Sequence, residues 1–146
     1  MGLNINTTKL LLRNRQQGIS FERTLTIGRQ GLYMRRTAMA KNLKHFGMSQ
    51  VDVDALFEES GGFAESFFKL LGAKQVDSMD ASPYEKASML HDMNLPIKAA
   101  LQQQFDVVLD GGSLEHVFNF PGALKNCMEM VKEGGHFISI SPSNNY

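Results

Sequence analysis

The sequence has little cysteine and no long apolar run. Its single cysteine, Cys127, excludes an intrachain disulfide. No window reaches the roughly 18 to 20 consecutive apolar residues that a membrane-spanning helix needs. The apolar run at residues 10–12 is also shorter than the h-region of about 7 to 15 residues in a secretory signal peptide. These absences predict a reduced, cytoplasmic protein that does not enter a membrane.

The whole chain is neutral, but acidic residues are scarce in its first 50 residues and basic residues are the minority in the rest. Residues 1–50 contain nine lysines and arginines and one acid, a net charge of +8. Residues 51–146 contain six lysines and fourteen acids, a net charge of −8. The basic part could bind an anionic partner, such as a phosphorylated substrate or a nucleic acid, or the two parts could neutralise each other. Neutralisation is favoured and nucleic acid is not expected, because no aromatic residues interleave the basic ones.

The pattern of apolar residues predicts one globular domain in a chain of 146 residues, of which 42% are hydrophobic. We expect an N-terminal helix or arm at residues 1–20, then an α/β domain at residues 21–146 with a helical insertion at about residues 48–71. Strands are predicted at residues 24–27, 73–79, 87–90, 105–109 and 136–140, the last ended by Pro142. Other helices are predicted at residues 29–44, 95–104 and 121–132. This alternation indicates a parallel sheet covered on both faces.

A glycine or an aspartate follows each of the first four predicted strands, at Gly28, Asp80, Asp92 and Asp110. The carboxyl ends of parallel strands meet at one edge of a sheet, where ligands bind. Each residue alone has a structural explanation, because aspartate caps helices and glycine serves turns. Together they favour a ligand site, because gathered carboxylates repel each other unless donors such as ribose hydroxyls or the amine of a base satisfy them.

The sequence resembles class I S-adenosylmethionine-dependent methyltransferases over about residues 21–146. The resemblance rests on VDSMDASPYEKASMLHDMNLP at residues 76–96 and FDVVLDGGSLEHVFNFPGALKNCMEMVKEGGHFISISPSNN at residues 105–145. It implies a Rossmann-like, doubly wound, mostly parallel sheet with helices on both faces, and S-adenosylmethionine as the cofactor. It also predicts a truncated domain, because the last two strands of the family would find no residues after the strand at 136–140.

The resemblance implies a role for the residues at the strand ends. Gly28 lies where the family's glycine-rich turn approaches the methionine part of the cofactor. Asp80 corresponds to the acid that binds the ribose hydroxyls. Asp92 corresponds to the residue that binds the adenine amine, and Met93 is expected to pack near the base.

The fourth predicted strand leads to the candidate catalytic residue. By the same resemblance, Asp110 and Gly111 border the methionine end of the cofactor and the opening for the substrate. His116 is the candidate general base for a hydroxyl acceptor, because histidine titrates near neutral pH. The alternative is that His116 caps or packs the short helix after this strand. Some relatives bind a divalent metal through a Glu-x-x-Glu-His run, but Gly112 stands at the first position here, so no metal is predicted.

The glycine-rich turn departs from the family pattern. In LTIGRQGLYM, Thr26 stands where the family has an acid, and Arg29 follows the one clear glycine. The missing acid removes a partner for the cofactor's ammonium group. Arg29 is unfavourable beside a sulfonium unless it points away or pairs with an acid such as Asp110. The other interpretation is that a different turn binds the same cofactor.

The sequence therefore predicts methyl transfer to a small polar or sugar-linked acceptor, which would be a small molecule or a glycan-linked compound, with S-adenosylhomocysteine as the product. The alternative is a non-catalytic or fragmentary methyltransferase-like binding module. A nicotinamide-dependent oxidoreductase ranks last, because GRQGLY does not supply the G-x-G-x-x-G pattern. We also expect the chain to self-associate through the exposed edge of the strand at residues 136–140.

Overall fold

The fold is built on a parallel sheet and is described here for residues 2–141 of a computed structural model. In chain order its elements are β1 (Gly2–Leu3), α1 (Ile5–Gln16), β2 (Arg23–Ile27), β3 (Gly31–Leu32), α2 (Arg36–His45), α3 (Val53–Glu58), α4 (Glu65–Leu70), β4 (Gln75–Asp80), β5 (Met89–Leu90), β6 (Phe105–Asp110), α5 (Phe120–Met130) and β7 (Val131–Ser139).

Five of these strands form one sheet in the order β5-β4-β2-β6-β7, and every neighbouring pair is parallel. The strand β2 is central, and its Thr24 pairs with Val76 of β4 on one side and Val107 of β6 on the other. The short strands β1 and β3 form a separate parallel pair. This topology confirms the predicted Rossmann-like, mostly parallel sheet.

The core consists of two apolar layers, one on each face of the sheet. All six residues of β6 are buried, with Val107 and Leu109 in one layer and Val108 in the other. The first layer contains side chains of α1, α2, α3 and α4, whereas the second contains side chains of α5. Burial on both faces explains why consecutive apolar residues stand at positions 107–109.

The prediction of a helix at residues 95–104 is wrong. Only one 3₁₀ turn, Ala99–Leu101, forms there. The backbone of Lys98 is extended, and Gln103 adopts a positive φ of 54°, so neither end of the segment continues a helix. Asn126 of α5 instead donates its side-chain amide to the carbonyl oxygen of Leu95 at 2.8 Å, which fixes the segment as a loop.

The end of α5 also differs from the sequence prediction. The helix ends at Met130 rather than at residue 132, and β7 begins at Val131 without a connecting loop. The predicted helix stop, Gly134-Gly135, lies inside β7, where the pairing register with β6 shifts between Phe105 and Val107. Gly134 has a φ of 76°, which is typical of such an irregularity. Pro142, the predicted end of this strand, lies outside the described residues.

The longest helix within residues 2–141 is α1, with 12 residues, and the other helices are shorter. None of them combines the length and the apolar character that crossing a membrane would need.

Candidate functional site

The site predicted from the strand ends lies at the carboxyl edge of the sheet. After β2 the chain continues to β4, on the side of β2 away from β6. After β6 it continues to β7, on the side of β6 away from β2. A topological switch point therefore lies between β2 and β6. Ile27, the last residue of β2, pairs with Met79 of β4 and with Asp110 of β6. The structure therefore brings Gly28, Asp80 and Asp110 to adjacent strand ends.

Asp80 ends β4 and retains a free carboxylate oxygen. Its Oδ1 accepts a hydrogen bond from the backbone N–H of Ser82 at 2.9 Å, which shapes the following turn. Within residues 2–141, Oδ2 receives no hydrogen bond, and the side chain is partly exposed. One oxygen is thus held while the other can accept from a ligand hydroxyl.

Asp92 and Met93 follow β5 but have different surroundings. Asp92 is exposed, and its Oδ1 accepts from the backbone N–H of Asn94 at 2.9 Å and from its side-chain amide at 2.7 Å. The backbone hydrogen bond, followed by the side-chain one, lowers the pKa of the Asp92 carboxyl below its ordinary value. Met93 is buried in the apolar layer that contains α5. Its side chain thus lies in the core and not on an open surface.

An apolar groove of about 300 Å³ lies between the ends of β4 and β5 and the 3₁₀ turn. It is lined by Met79, Met89, Leu90, His91, Lys98, Ala100 and Leu101. Leu90 is 59% exposed, so an apolar surface is open beside Asp80 and Asp92. The sequence predicted such a surface at Met93, whereas in the structure the exposed apolar side chain of this groove is Leu90, next to the partly exposed Met89.

Asp110 is buried at the end of β6 with both carboxylate oxygens occupied. Oδ1 accepts from the backbone N–H groups of Ser113 at 2.8 Å and Leu114 at 3.2 Å. Oδ2 accepts from the hydroxyl of Ser139, at the end of β7, at 2.9 Å. With only 1% of its surface exposed, Asp110 holds the turn after β6 and joins it to β7. Its predicted role beside the cofactor stays a prediction.

The turn after β2 combines one glycine with two long polar side chains. Gly28 has a φ of 71°, which favours glycine, and its N–H donates to the carbonyl oxygen of Met79 at 2.7 Å. The amide of Gln30 donates to the carbonyl oxygen of Ile27 at 2.8 Å. The Gln30 side chain is buried against Gly111, where a Cβ atom would lie 2.9 Å from its Cδ. Gln30 therefore fills the space between the turns after β2 and β6.

Arg29 pairs with Glu65 and not with Asp110, the acid named in the sequence analysis. Its Nε lies 2.5 Å from Oε1 of Glu65, the first residue of α4, and its Nη1 donates to the carbonyl oxygen of Glu85 at 3.1 Å. The guanidinium stacks over the ring of Phe63 at 3.8 Å. The positive charge that disfavours a sulfonium is thus paired with a carboxylate.

His116 lies on the exposed 3₁₀ turn Leu114–His116 after β6. Its Nε2 is 3.6 Å from Oε1 of Glu115, and 73% of its side chain is exposed. Next to this turn is a groove of about 380 Å³ lined by Asp110, Leu114, Glu115, Phe120, Ser139 and Ser141. Glu115 lines the groove and His116 does not, so its polar groups are the carboxylates of Glu115 and Asp110 and the hydroxyls of Ser139 and Ser141. The catalytic role of His116 stays a prediction.

In residues 2–141, no three or more side chains of His, Cys, Asp or Glu are grouped as a metal site would require.

Sequence reasoning missed Glu65, Gln30 and Ser139 as residues of this edge. Glu65 is separated by 36 residues from Arg29, so only the fold brings the two together. Gln30 carried a detectable signal, because a long polar residue two positions after Gly28 must be accommodated inside the turn. Ser139 could not be found from the sequence, because its position next to Asp110 depends on the pairing of β7 with β6.

Comparison with known proteins gives one match. A family model described as a methyltransferase domain matches residues 60–139, which is more than half of the chain. The matched segment contains β4, β5, β6, α5 and β7, but not β2 or the turn after it. Neither a curated protein nor a solved structure matches the chain significantly.

Proposed function

The chain belongs to the methyltransferase domain family, and on that premise we propose that it transfers a methyl group from S-adenosylmethionine to a small polar or sugar-linked acceptor in the cytoplasm. The observation that carries the proposal is the free oxygen of Asp80 beside the Gly28 turn at the switch point. A carboxylate with one held and one free oxygen suits the hydroxyls of a ribose.

The remaining parts of a nucleoside site lie beside Asp80. The groove next to β5 offers the apolar surfaces of Leu90 and the partly exposed Met89 to a base. Asp92 is exposed next to it, and its hydrogen bonds with Asn94 keep it ionised and oriented to accept from an exocyclic amine. The two carboxylate acceptors and the apolar surface therefore fit an adenosine.

In this proposal the acceptor lies in the groove after β6. The cofactor would supply an electrophilic methyl group, and the protein has to orient the acceptor oxygen in line with it. Glu115 and Ser139 line the groove and can bind acceptor hydroxyls. His116, next to Glu115 on the rim, would have to turn inward to accept the hydroxyl proton as the general base.

The alternative, a non-catalytic methyltransferase-like binding module, is favoured by one observation. Gln30 is buried between the two turns of the switch point, where only 2% of its surface is exposed. A side chain in this position narrows the crevice in which the methionine part of the cofactor would lie. The binding experiment below distinguishes the two functions.

The test is calorimetric titration of the full chain with S-adenosylhomocysteine. We expect binding, and we expect Asp80→Ala to weaken it about 10-fold or more, because a hydrogen bond to a charged group is lost. The matched control is Asp77→Ala, in the same strand, whose carboxylate bonds Gln75 and Ser88. If the folded parent chain does not bind S-adenosylhomocysteine, the methyl-transfer proposal is wrong and the non-catalytic binding module replaces it.

Self-association through β7 is part of the proposal. β7 pairs with β6 on one side, and no other strand of residues 2–141 pairs with its second side. Its free backbone N–H and C=O groups can form hydrogen bonds with a second copy of the chain. We expect the sedimentation coefficient to rise with protein concentration, and a concentration-independent monomer would contradict this.

A further inference from the structure

Arg29 has hydrogen-bond donors that find no partner within residues 2–141. A guanidinium group carries five N–H donors in a fixed plane. In the described residues, Nε donates to Glu65 and one Nη1 hydrogen donates to the carbonyl oxygen of Glu85. Three donors therefore have no protein partner, and 21% of the side chain is exposed. The guanidinium is thus fixed by its neighbours, while the side chain as a whole stays partly exposed.

Three contacts hold the plane of this guanidinium. Glu65 at the start of α4 fixes one edge, Glu85 in the loop after β4 fixes another, and the Phe63 ring supports one face. A group held in this way loses little conformational entropy when a ligand binds. The arrangement is more than a surface ion pair, because it connects the turn after β2 with two other segments.

The position of Arg29 determines which ligand group it can reach. It follows Gly28 directly, at the end of the central strand, where the proposed function places the methionine part of the cofactor. That part carries one ammonium and one carboxylate group. A guanidinium with free donors in one plane matches a carboxylate, and Glu65 balances its charge with respect to the nearby sulfonium.

We propose that Arg29 binds the carboxylate of the cofactor's methionine part, with Glu65 as the positioning residue of the guanidinium. This inference rests on the proposed function. It gives a physical reason for an arginine in a turn that lacks the expected acid. Recognition of the amino acid part would depend on its negative group and not mainly on its positive group.

The experiment compares two ligands that differ by one carboxylate. S-adenosylhomocysteine and its decarboxylated analogue, 5′-deoxy-5′-(3-aminopropylthio)adenosine, are titrated calorimetrically into the parent chain and into Arg29→Met. We expect the parent to bind S-adenosylhomocysteine roughly 10- to 100-fold more tightly than the analogue. Arg29→Met should lose this preference while its affinity for the analogue stays unchanged. Methionine keeps the apolar contact with Phe63.

The outcomes separate this inference from the proposed function. If Arg29→Met weakens both ligands by the same factor, Arg29 only shapes the turn and the inference is wrong, while the proposed function stands. If the folded parent binds neither ligand, both are overturned. Should Arg29→Met fail to fold, as judged by circular dichroism, Arg29→Lys provides the same comparison. Lysine keeps a cation beside Glu65 but lacks the planar set of donors, so the preference for the carboxylate should fall. An undiminished preference would overturn the inference.

Discussion

The turns after β2 and β6 end the two strands of the switch point, yet they are stabilised in opposite ways. The turn after β6 is held largely by nearby residues, because Asp110 accepts hydrogen bonds from Ser113 and Leu114, three and four residues later, in addition to the one from Ser139 of β7. The turn after β2 is held from a distance, because Arg29 contacts residues 36 and 56 positions away. The first turn therefore contains a strong local motif, whereas the position of Arg29 in the second depends on the tertiary structure.

This difference explains how the two turns can be tested. A local turn is lost when its own acceptor is removed, and the strand beside it is destabilised. A turn held from a distance changes when any of several segments moves. Two contacts connect the turns: Gln30 packs on Gly111, and the hydroxyl of Ser113 donates to the carbonyl oxygen of Ile27 at 2.6 Å.

The largest effect is expected from Asp110→Ala. The substitution leaves the buried N–H groups of Ser113 and Leu114 and the hydroxyl of Ser139 without an acceptor, so the free energy of unfolding should fall by about 3 kcal/mol. Urea denaturation measures the change. Glu133→Ala, an exposed acid on β7, should change stability by no more than about 0.5 kcal/mol. Equal effects of both variants would show that the turn after β6 is not held by Asp110.

A smaller effect is expected where the two turns meet. In Gly111→Ala, the new methyl group would overlap the Gln30 side chain, so stability should fall by about 1 to 3 kcal/mol. In the double variant with Gln30→Ala, the overlap disappears, and the total loss should be smaller than the sum of the two single losses by about 1 kcal/mol or more. Additive losses in urea denaturation would argue against this contact.

The pH dependence of stability should show the contribution of Asp106, the second buried acid of β6. Burial acts to raise the pKa of Asp106, but Lys132 at 2.5 Å and the backbone N–H of Arg23 at 3.0 Å outweigh it, so its pKa lies below the ordinary value. A lowered pKa contributes stability above the unfolded value of about 3.9, and this contribution is lost as the pH falls through the folded value.

Urea denaturation of the parent and of Asp106→Asn measures this contribution across the pH range. The parent should be more stable at pH 7, and the difference should shrink as the pH falls below about 4. A difference that stays constant down to pH 2 would mean that the Asp106 charge contributes nothing.

The smallest effect is expected for the reaction rate of the Cys127 thiol, which depends on how often the region of the turn after β6 opens. Burial, with a contribution from the charge of Asp110, raises the pKa of Cys127 to about 12. The native thiol should therefore react with dithiobis(nitrobenzoic acid) at pH 8 far more slowly than in urea. In Asp110→Ala the native-state reaction should become faster, because the strand beside Cys127 opens more often. An unchanged rate would show that the substitution does not loosen this region.

Much of the fold could be predicted from the sequence, because apolar runs and the residues after them are local signals. The strands β2, β4 and β6 lie within two residues of their predicted positions, and the edge that collects Gly28, Asp80 and Asp110 was expected. The helix predicted at residues 95–104 failed because a tertiary contact, from Asn126 to Leu95, fixes a loop instead. The partner of Arg29 could not be predicted either, because it depends on how α4 packs beside β2.

The order of the strands also affects how the chain can fold during synthesis. β2 is completed early, but its partner β6 lies 83 residues further along the chain. At about 5 to 20 residues per second, a ribosome takes roughly 4 to 17 seconds to add that segment. During this interval one side of the central strand has no native partner, which exposes it to pairing with other chains. We therefore expect folding to be slow and to benefit from a chaperone that covers β2 until β6 emerges.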